Sequence, residues 1–372
     1  MKYTRLACGV MAAAGMAALL AGCDPNKGGD ASTPATPAES NRSTAPVTPN
    51  ISFNKARKPD GVVTIKVITN GNSPFWDAMG IGLNVGQQAT GVKGNWTAPS
   101  QTDNNSQKET FEQALAANSD GIAVSCIDAG AFTTVIDEGI AKGVPVITFD
   151  SDAPNSKRLA YIGTDNFAAG QEAGRAAVKL FPNGGNLVAF VGNMSADNAK
   201  KRYDGFMDAV KGHNINMLQA PYEDGKDAGV AHRNVADAIT KYGTKLNGLV
   251  GLYSYNGPAI VDEVQKAGLL HKVKVICFDG EPRTLENLKR GLVDLTVVQK
   301  PYEFGRLSAI LLNGINRKGL EQALKDMEPE LTKNHMKVDM GAHIIDTGVQ
   351  VITPENSGPF LKELSDKGLK ST

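Results

Sequence analysis

Three polar residues, Asp150, Asp279 and Gln299, come directly after apolar runs that are typical of buried strands. In open α/β sheets, ligands bind beyond the carboxyl ends of the strands. Carboxylate and amide groups at such an edge offer hydrogen bonds to a polar ligand. An aspartate after a strand is also a common turn former or helix cap. The shared position of the three residues, rather than any one of them, therefore predicts a binding site.

Aromatic and cationic residues could complete this site. Phe75 and Trp76 follow the first apolar run and open a helical pattern, and Arg202 lies inside a later one. A polyol presents hydroxyl groups around a ring with apolar C–H faces, so it suits carboxylates and amides in the ring plane, an arginine fork and aromatic rings above and below. Two simpler interpretations remain open. One of the two aromatic residues fits a helix core by its periodicity, and Lys200-Lys201-Arg202 fits a solvated helix face.

Short apolar runs alternate with helical patterns along most of the chain, which predicts parallel sheets covered by helices on both faces. The predicted strands are Val62–Thr69, Gly121–Cys126, Val144–Asp150, Leu159–Gly163, Leu187–Gly192, Leu249–Tyr253, Val273–Asp279 and Leu295–Gln299. The predicted helices are Phe75–Thr90, Lys108–Asn118, Asn166–Phe181, Ala196–Lys211, Ala228–Tyr242 and Pro258–Ala267. We therefore predict an α/β protein with two doubly wound lobes that meet near Thr164-Asp165.

The first residues resemble a secretory signal. Lys2 and Arg5 precede the short apolar segment Leu6–Leu20, which is too short to span a bilayer well, since spanning takes about 20 predominantly apolar residues. Leu20-Ala21-Gly22-Cys23 resembles a bacterial lipobox, in which the cysteine is lipidated after cleavage. We expect residues 1–22 to be a lipoprotein signal peptide, with Cys23 as the anchor on the periplasmic or cell-surface side of the cytoplasmic membrane.

The segment 23–58 is predicted to be a flexible tether because bulky apolar residues are rare in it. The rest of the chain is long enough for two lobes, which we place at 59–164 with 300–334 and at 165–299 with 335–372. Loss of residues 1–22 would leave 37 of the 39 basic residues against 39 acidic residues. This balance gives no electrostatic reason to bind nucleic acid.

Motifs of enzymes and metal proteins are not apparent in the sequence. We find no Gly-x-Gly-x-x-Gly after a strand, no phosphate-binding loop, no Gly-x-Ser-x-Gly and no metal-ligand spacing among the five histidines. Cys126 and Cys277 lie in strand-like runs of different predicted lobes, so we expect free, buried thiols. We predict no catalytic activity, no cofactor and no metal. An enzyme that used Asp150 and Asp279 as an acid/base pair is the alternative.

An ordered series of motifs resembles the ribose-binding-protein-like branch of the type I periplasmic binding proteins. The series consists of Asn72-Ser73-Pro74-Phe75-Trp76, Gly143-Val-Pro-Val-Ile-Thr-Phe-Asp150, Tyr161-Ile-Gly-Thr-Asp165-Asn166, Arg202-Tyr-Asp-Gly-Phe206, Phe278-Asp279-Gly280 and Val298-Gln299-Lys-Pro-Tyr302. The resemblance implies a two-lobed fold with three hinge crossings, the last near Val349–Thr353, and it returns Tyr302–Ile315 to the first lobe. Glu321–Asp339 is polar and irregular, and the resemblance does not place it.

The resemblance also implies which side chains contact ligand. The resemblance implies ligand roles for Phe75, Trp76, Asp150, Arg202, Asp279 and Gln299, and it places Glu223 and Asn256 near further contact positions of the family. With Ser73 and Ser151, which stand at two more contact positions, the predicted set has ten residues. Two positions depart from the ribose-type pattern: Ser151 stands where arginine is common, and Ser73 stands where asparagine is frequent. The loss of an arginine fork at Ser151 and the carboxylate of Asp152 beside it should change the preference for ligand hydroxyls.

These expectations describe a monomeric, lipid-tethered binding protein for a monosaccharide or similar small polyol, which delivers its ligand to an ABC permease. The signal autoinducer-2 and cyclic polyols remain open as ligands. A sensor that docks on a chemoreceptor or sensor kinase remains open as a role. The ligand-binding part of a sugar-responsive repressor has the same fold, but we see no helix-turn-helix ahead of the body.

Overall fold

Two mixed α/β lobes make up the part of the chain that the computed structural model describes, residues 52–372. The predicted signal segment, Cys23 and most of the predicted tether lie outside these residues. Each lobe is built around one seven-stranded sheet with helices on both faces. The predicted fold class is confirmed.

The sheet of the first lobe is parallel apart from one edge strand. In chain order its strands are β1 (Thr64–Ile68), β2 (Lys93–Thr97), β3 (Gly121–Val124), β4 (Val146–Phe149), β5 (Tyr161–Gly163), β12 (Lys337–Asp339) and β13 (Ile344–Asp346). They lie in the order β12-β13-β5-β4-β3-β1-β2, and only the β12–β13 pair among them is antiparallel. The central strands β3 and β4 are buried along their whole length, as expected for a sheet covered on both faces.

The sheet of the second lobe follows the same plan. Its strands are β6 (Gly185–Val191), β7 (Ile215–Met217), β8 (Tyr222–Glu223), β9 (Gly248–Gly251), β10 (Lys274–Phe278), β11 (Leu295–Val298) and β14 (Gln350–Ile352). They lie in the order β14-β11-β10-β9-β6-β7, and β8 also pairs with β6. The edge strand β14 is antiparallel to β11. The carboxyl ends of β10 and β11 carry Asp279 and Gln299, as the sequence predicted.

Helices cover both sheets. They are α1 (Pro74–Thr90), α2 (Asn104–Ala116), α3 (Ala129–Ala141), α4 (Asn166–Leu180), α5 (Asp197–Val210), α6 (Ala228–Tyr242), α7 (Asn256–Lys266), α8 (Pro282–Lys289), α9 (Pro301–Lys318), α10 (Leu320–Lys333) and α11 (Ser357–Asp366). Aspartates cap several of them; the side chain of Asp103, for example, accepts from Asn105 N and Ser106 N at the start of α2. None of the helices in residues 52–372 has the length and apolar composition needed to cross a bilayer.

Within residues 52–372, the chain crosses between the lobes three times. It passes from β5 to α4 at Thr164-Asp165, from β11 to α9 at Gln299-Lys300, and from β13 to β14 at residues 347–349. The third crossing lies close to the predicted Val349–Thr353. The helix α9 packs against the strands of the first lobe, as expected for Tyr302–Ile315. Three crossings allow the lobes to rotate about a hinge while each keeps its own core.

The predicted lobe boundaries need two corrections. Lys337–Asp346 forms β12 and β13 of the first sheet, so the chain returns to the second lobe only after Asp346 and not at residue 335. The predicted tether also ends earlier than residue 58, because Phe53 is buried in the core of the first lobe and its carbonyl accepts from Leu320 N at 2.8 Å. A single aromatic residue in a polar segment does not by itself predict burial in a core, so the sequence did not indicate the position of Phe53.

The segment Glu321–Asp339, which the sequence left irregular, is mostly the helix α10. Pro329 lies inside this helix, and a proline in a helix interior removes a hydrogen bond and is a strong breaker signal. Leu320, Leu324, Met327 and Leu331 nevertheless bury one face of α10 against the first lobe. Packing of that face overrides the local preference.

Glycine pairs let two helix pairs approach closely, one pair in each lobe. A Cβ on Gly82 of α1 would lie 1.8 Å from the carbonyl oxygen of Tyr302 in α9. A Cβ on Gly205 of α5 would lie 2.0 Å from the carbonyl oxygen of Phe167 in α4. The first contact fixes α1, whose first turn carries Phe75 and Trp76, and the second fixes α5, which carries Arg202. Close helix packing therefore sets the position of three predicted ligand contacts.

Both cysteines within the described residues are free and buried, as predicted. Cys126 lies in the first lobe, just after β3, and Cys277 lies in β10 of the second. Burial raises the pKa of each thiol, so both resist reaction at neutral pH.

Candidate functional site

A polar cavity of about 90 Å³ lies between the lobes, at the carboxyl ends of both sheets. The first lobe contributes Asn70, Ser73, Phe75, Trp76, Thr102 and Asp150 to its wall. The second lobe and the hinge contribute Asn198, Arg202, Lys226, Tyr253, Asp279 and Gln299. The cavity is smaller than the roughly 300–1,000 Å³ of pockets for drug-sized ligands. Its size therefore favours a small ligand.

Asp150 carries the carboxylate of the first lobe. It follows β4 with φ of 56°, the left-handed conformation that aspartate tolerates better than most residues. This turn directs the side chain to Ser125, whose Oγ donates to Asp150 Oδ2 at 2.8 Å. Burial raises the pKa of Asp150, while Arg202, the Ser125 hydroxyl, Lys226 and Asn198 oppose that rise. Arg202, Lys226 and Asn198 belong to the second lobe, so the two lobes are closed on each other here.

Asp279 is the matching carboxylate of the second lobe. It follows β10 with φ of 67°, and its backbone oxygen accepts from Thr296 Oγ1 at 2.6 Å. Its side-chain Oδ1 accepts from Gln299 Nε2 at 2.9 Å. Burial raises the pKa of Asp279 to about 6, although Arg202 and Gln299 favour the charged form. The carboxylate therefore sits in a desolvated place and lacks the full hydrogen bonding that would restore its ordinary pKa.

Arg202 is 1% exposed and holds a fixed position in the cavity wall. Its Nε donates to Asn166 Oδ1 at 2.9 Å, and its Nη1 donates to the Leu252 carbonyl at 2.9 Å. The guanidinium carbon lies 4.9 Å from the centroid of the Phe278 ring. Within residues 52–372, Nη2 finds no hydrogen-bond partner. The interpretation of Arg202 as part of a solvated helix face is therefore wrong.

Phe75 and Trp76 both line the cavity, and both are also packed in the core of the first lobe. Their rings meet edge to face with centroids 4.8 Å apart, and Trp76 meets Phe149 in the same way at 5.8 Å. These contacts hold the two rings rigidly. Tyr253 adds an aromatic ring from the second lobe, and its hydroxyl donates to Asn198 Oδ1 at 3.1 Å.

The structure brings seven of the ten predicted ligand contacts to the cavity wall: Ser73, Phe75, Trp76, Asp150, Arg202, Asp279 and Gln299. Three predicted contacts lie outside the wall, and the structure corrects the expectation for each. Glu223 is exposed and its Oε2 accepts from Met194 N. Asn256 is buried behind the wall, where it accepts from Tyr253 N and donates to Asp224 Oδ2.

Ser151 is the third residue outside the wall. It is fully buried, and its carbonyl accepts from Cys126 N, because the left-handed turn at Asp150 directs the chain back into the lobe. The neighbouring Asp152 does not face the cavity either. Its carboxylate forms a two-point ion pair with Arg158, with Nε–Oδ1 at 2.6 Å and Nη2–Oδ2 at 2.8 Å. The structure therefore gives no support to the expectation that Asp152 changes the preference for ligand hydroxyls.

The sequence analysis did not predict four other residues of the cavity wall, Asn70, Thr102, Asn198 and Tyr253, and it also missed the connected group of Lys226, Asp224 and Tyr255. Lys226 lines the cavity, and the buried Asp224 lies next to it. Asp224 accepts from the Tyr255 hydroxyl at 2.5 Å and from Asn256 Nδ2 at 2.9 Å. The segment Glu223-Asp224-Gly225-Lys226 reads as an ordinary polar turn, so its residue types alone gave no signal. The resemblance placed a ligand contact at Glu223, which is the residue before the buried Asp224.

Metal coordination gains no support from this arrangement. Across residues 52–372, no three His, Cys, Asp or Glu side chains come together in a way that could hold a metal ion. The cavity instead combines carboxylate acceptors, guanidinium and ammonium donors, and aromatic faces. Such a set can hydrogen-bond the hydroxyls of a small ring and stack on its apolar face.

The family follows from these features and from comparison with known proteins. The family model described as "Periplasmic binding protein domain" matches residues 64–318. The match covers more than half of the chain, so the chain belongs to the periplasmic binding proteins, and the resemblance to their ribose-binding-like branch is confirmed. Membership implies an extracytoplasmic location.

Similar proteins are sugar-binding proteins by name. The xylose/arabinose-binding protein XylF of Sulfolobus acidocaldarius is 24% identical over 236 residues, which cover 58% of this chain and 57% of that protein. The ribose import binding protein RbsB of Bacillus subtilis is 24% identical, covering 68% of this chain and 81% of that protein. The crystal structure of GanP, a glucose-galactose binding protein from Geobacillus stearothermophilus, is 26% identical with a TM-score of 0.70, covering 80% of this chain and 99% of that one.

Proposed function

We propose that this protein is the solute-binding component of an ABC importer and that it binds one monosaccharide, or a similar small polyol, in the cavity between its lobes. One observation carries the proposal. Within residues 52–372, Arg202 Nη2 and Gln299 Oε1 are buried without a hydrogen-bond partner, and both residues line the cavity. An unpaired buried polar group costs about 1–3 kcal/mol, so these two groups call for a ligand donor and a ligand acceptor.

The shape of the cavity supports a single sugar ring rather than an oligosaccharide. Both lobes contribute carboxylates or amides, and the first lobe adds the rigid rings of Phe75 and Trp76. A hydroxyl group donates and accepts at once, so it suits a wall that contains both the Asp279 carboxylate and the Arg202 guanidinium. The names of the similar proteins mention pentoses and hexoses, which supports a monosaccharide as the ligand.

Binding without turnover is part of the proposal. Asp150 and Asp279 lie on opposite lobes, and each is held by neighbouring donors, Ser125 and Gln299 respectively. Such carboxylates serve as hydrogen-bond acceptors for ligand hydroxyls, and the family supports a solute-binding role rather than an enzymatic one. Recovery of the bound sugar chemically unchanged after prolonged incubation is the expected result; a converted product would favour an enzyme.

The anchor and the permease partner are further parts of the proposal. Leu20-Ala21-Gly22-Cys23 supports lipidation at Cys23, followed by a polar tether that holds a monomeric body near the membrane. We expect Cys23→Ser to release the protein from the membrane fraction and to abolish labelling by a radioactive fatty acid. Unchanged membrane association of this variant would contradict the anchor.

A thermal-shift screen tests the ligand class. The chain, freed of any retained ligand by unfolding and refolding, is screened against pentoses, hexoses, inositols and autoinducer-2. A ligand at about 100 times its Kd stabilises the folded state by about 2.7 kcal/mol, which raises Tm measurably. One strong response among the sugars supports the proposal and names the ligand. A response to autoinducer-2 alone would favour a signal receptor, and no response from folded protein would reject the sugar.

A further inference from the structure

The backbone of Lys226 adopts a conformation that lysine rarely takes. Gly225 and Lys226 both have positive φ, 61° and 65°, and only the glycine is suited to that region. The side chain of Asp224 fixes the turn, since its Oδ1 accepts from Lys226 N at 2.8 Å. Residues held in such conformations concentrate at functional sites, where the surrounding structure maintains the strain. The turn directs the lysine side chain toward the other lobe.

The ammonium group of Lys226 bridges the cleft. Its Nζ donates to the backbone oxygen of Asn70 at 2.7 Å. Lys226 follows β8 of the second lobe, whereas Asn70 follows β1 of the first, so this hydrogen bond exists only when the lobes are closed. Because the acceptor is a backbone atom next to Gly71, its position depends on the fold of the first lobe and not on a side-chain rotamer.

Charged and aromatic groups around Lys226 hold its ammonium in the cavity wall. The carboxylates of Asp150 and Asp224 favour the charged form, and the Tyr253 ring centroid lies 5.9 Å from Nζ. Burial lowers the pKa of Lys226 to about 8, so the group is still mostly protonated at neutral pH. An ammonium has three N–H donors. In the part of the chain that the structure describes, Asn70 O is the one acceptor that Nζ reaches.

We propose that Lys226 is both a ligand contact and the latch of the closed form: it binds Asn70 across the cleft and directs its remaining donors to an oxygen of the ligand. This inference rests on the proposed function, because it takes the cavity as the ligand site. It adds a requirement on the ligand, which must present an acceptor oxygen, a hydroxyl or a carbonyl, at the Lys226 side. Asp150 and Asp279 take up donor hydroxyls elsewhere in the cavity.

The latch affects ligand release more than ligand entry. A ligand enters the open form, in which Lys226 and Asn70 are apart, so the association rate does not depend on their hydrogen bond. Release requires that the bond break. Removal of the ammonium therefore speeds dissociation and leaves association nearly unchanged. Mutations within one binding site usually change affinity through the dissociation rate.

Stopped-flow kinetics on the full chain test this proposal with the ligand from the thermal-shift screen. Lys226→Met keeps the apolar stem and removes the donors. We expect its dissociation rate to rise about 10- to 100-fold, as for loss of a charged hydrogen bond. Lys200→Met is the matched control, since Lys200 is exposed on α5 and, among residues 52–372, forms its ion pair with Asp204; its rates should equal those of the wild type. An unchanged dissociation rate for Lys226→Met overturns the proposal.

A distance measurement separates the latch from the choice of ligand. Fluorophores at the exposed positions Glu112 and Lys241, one on each lobe and introduced as unnatural amino acids, report the closed fraction of the full chain with and without sugar. The latch predicts a smaller closed fraction for Lys226→Met. If no sugar binds, the proposed function fails, but the closed fractions without ligand still test the latch. A lower closed fraction in Lys226→Met than in the wild type supports the latch, and equal fractions overturn it. A wild-type chain that never closes overturns both.

Discussion

Gln299 donates from Nε2 to Asp279 Oδ1 at 2.9 Å, while its own Oε1 has no hydrogen-bond partner within residues 52–372. The Gln299 amide thus holds the Asp279 carboxylate at the hinge. Its oxygen, Oε1, can accept a hydrogen bond from the ligand beside that carboxylate. The first lobe uses the same plan with a different donor, since Ser125 holds Asp150. In each lobe, a Phe-Asp pair ends a central strand, and the aspartate turns with positive φ into the cavity.

Replacement of Asp279 tests this arrangement most directly. Asp279→Asn keeps the shape and tolerates the left-handed backbone, whereas alanine would strain it. We expect affinity for the sugar to fall by at least about 100-fold, because two or more hydrogen bonds to a charged acceptor are lost or weakened. Isothermal titration calorimetry measures the change. Unchanged affinity with intact folding would contradict the site assignment.

The pH dependence of sugar affinity follows from the raised pKa of the same carboxylate. Burial raises the pKa of Asp279 to about 6, and a bound hydroxyl that donates to the carboxylate lowers it again. Protonation below about pH 6 then competes with the ligand, so affinity should fall by up to about tenfold per pH unit. Titrations from pH 8 to pH 5 on the wild type and Asp279→Asn check this. An equal slope for the two proteins would assign the effect to another group.

Stability of the ligand-free protein should change with pH in the opposite sense. The folded pKa of Asp279 lies above its unfolded value near 4, so between about pH 4 and 6 the unfolded chain ionises first and the folded state loses stability as pH rises. The full loss is about 3 kcal/mol above pH 6. Urea unfolding gives the free energy of unfolding of the wild type and of Asp279→Asn at each pH. Burial also raises the pKa of Glu281, to about 7, and subtraction of the two free energies removes its contribution because both proteins have it. A difference that is constant with pH would contradict the assigned pKa.

The sequence located the strand-end residues of the site because parallel sheets bring their carboxyl ends to one edge. Asp150, Asp279 and Gln299 follow runs whose burial is plain from composition, so this general rule was enough. Residue type suggested Arg202 as a hydrogen-bond donor, but only the resemblance favoured this role over a solvated face, which a Lys-Lys-Arg run by itself indicates. Its burial depends on the close α4–α5 contact at Gly205, which is a tertiary property.

Other parts of the fold and site could not be read from local patterns. Strand β2, Lys-Gly-Asn-Trp-Thr, has no apolar alternation and forms only because β1 offers it an edge. Lys226 reaches the cavity through two successive residues with positive φ, a conformation that its sequence does not favour. Such features depend on the surrounding fold overriding local preference, which occurs most often at functional positions.

Gly205→Ala tests whether helix packing positions Arg202. The new Cβ would lie 2.0 Å from the Phe167 carbonyl oxygen, so α4 and α5 must separate. Overpacking of this kind costs about 1–3 kcal/mol, and the displaced Arg202 should also weaken sugar binding. Thermal unfolding and calorimetry measure the two effects. Gly358→Ala in α11 is the control, because its Cβ meets no atom within 4 Å and it should be neutral or slightly stabilising. Equal behaviour of the two variants would contradict the packing argument.

Intrinsic fluorescence should report ligand binding through one of the two tryptophans. Trp76 lines the cavity, whereas Trp96 lies on β2 and packs its ring edge against Gly80 of α1. A sugar that stacks on Trp76 displaces water from that ring, so we expect an emission shift to shorter wavelength at saturation. The shift should persist in Trp96→Phe and disappear in Trp76→Phe at sugar concentrations that calorimetry shows to be saturating. A shift that survives in Trp76→Phe would place the ligand away from this ring, and the stacking role would then fall to Phe75 or Tyr253.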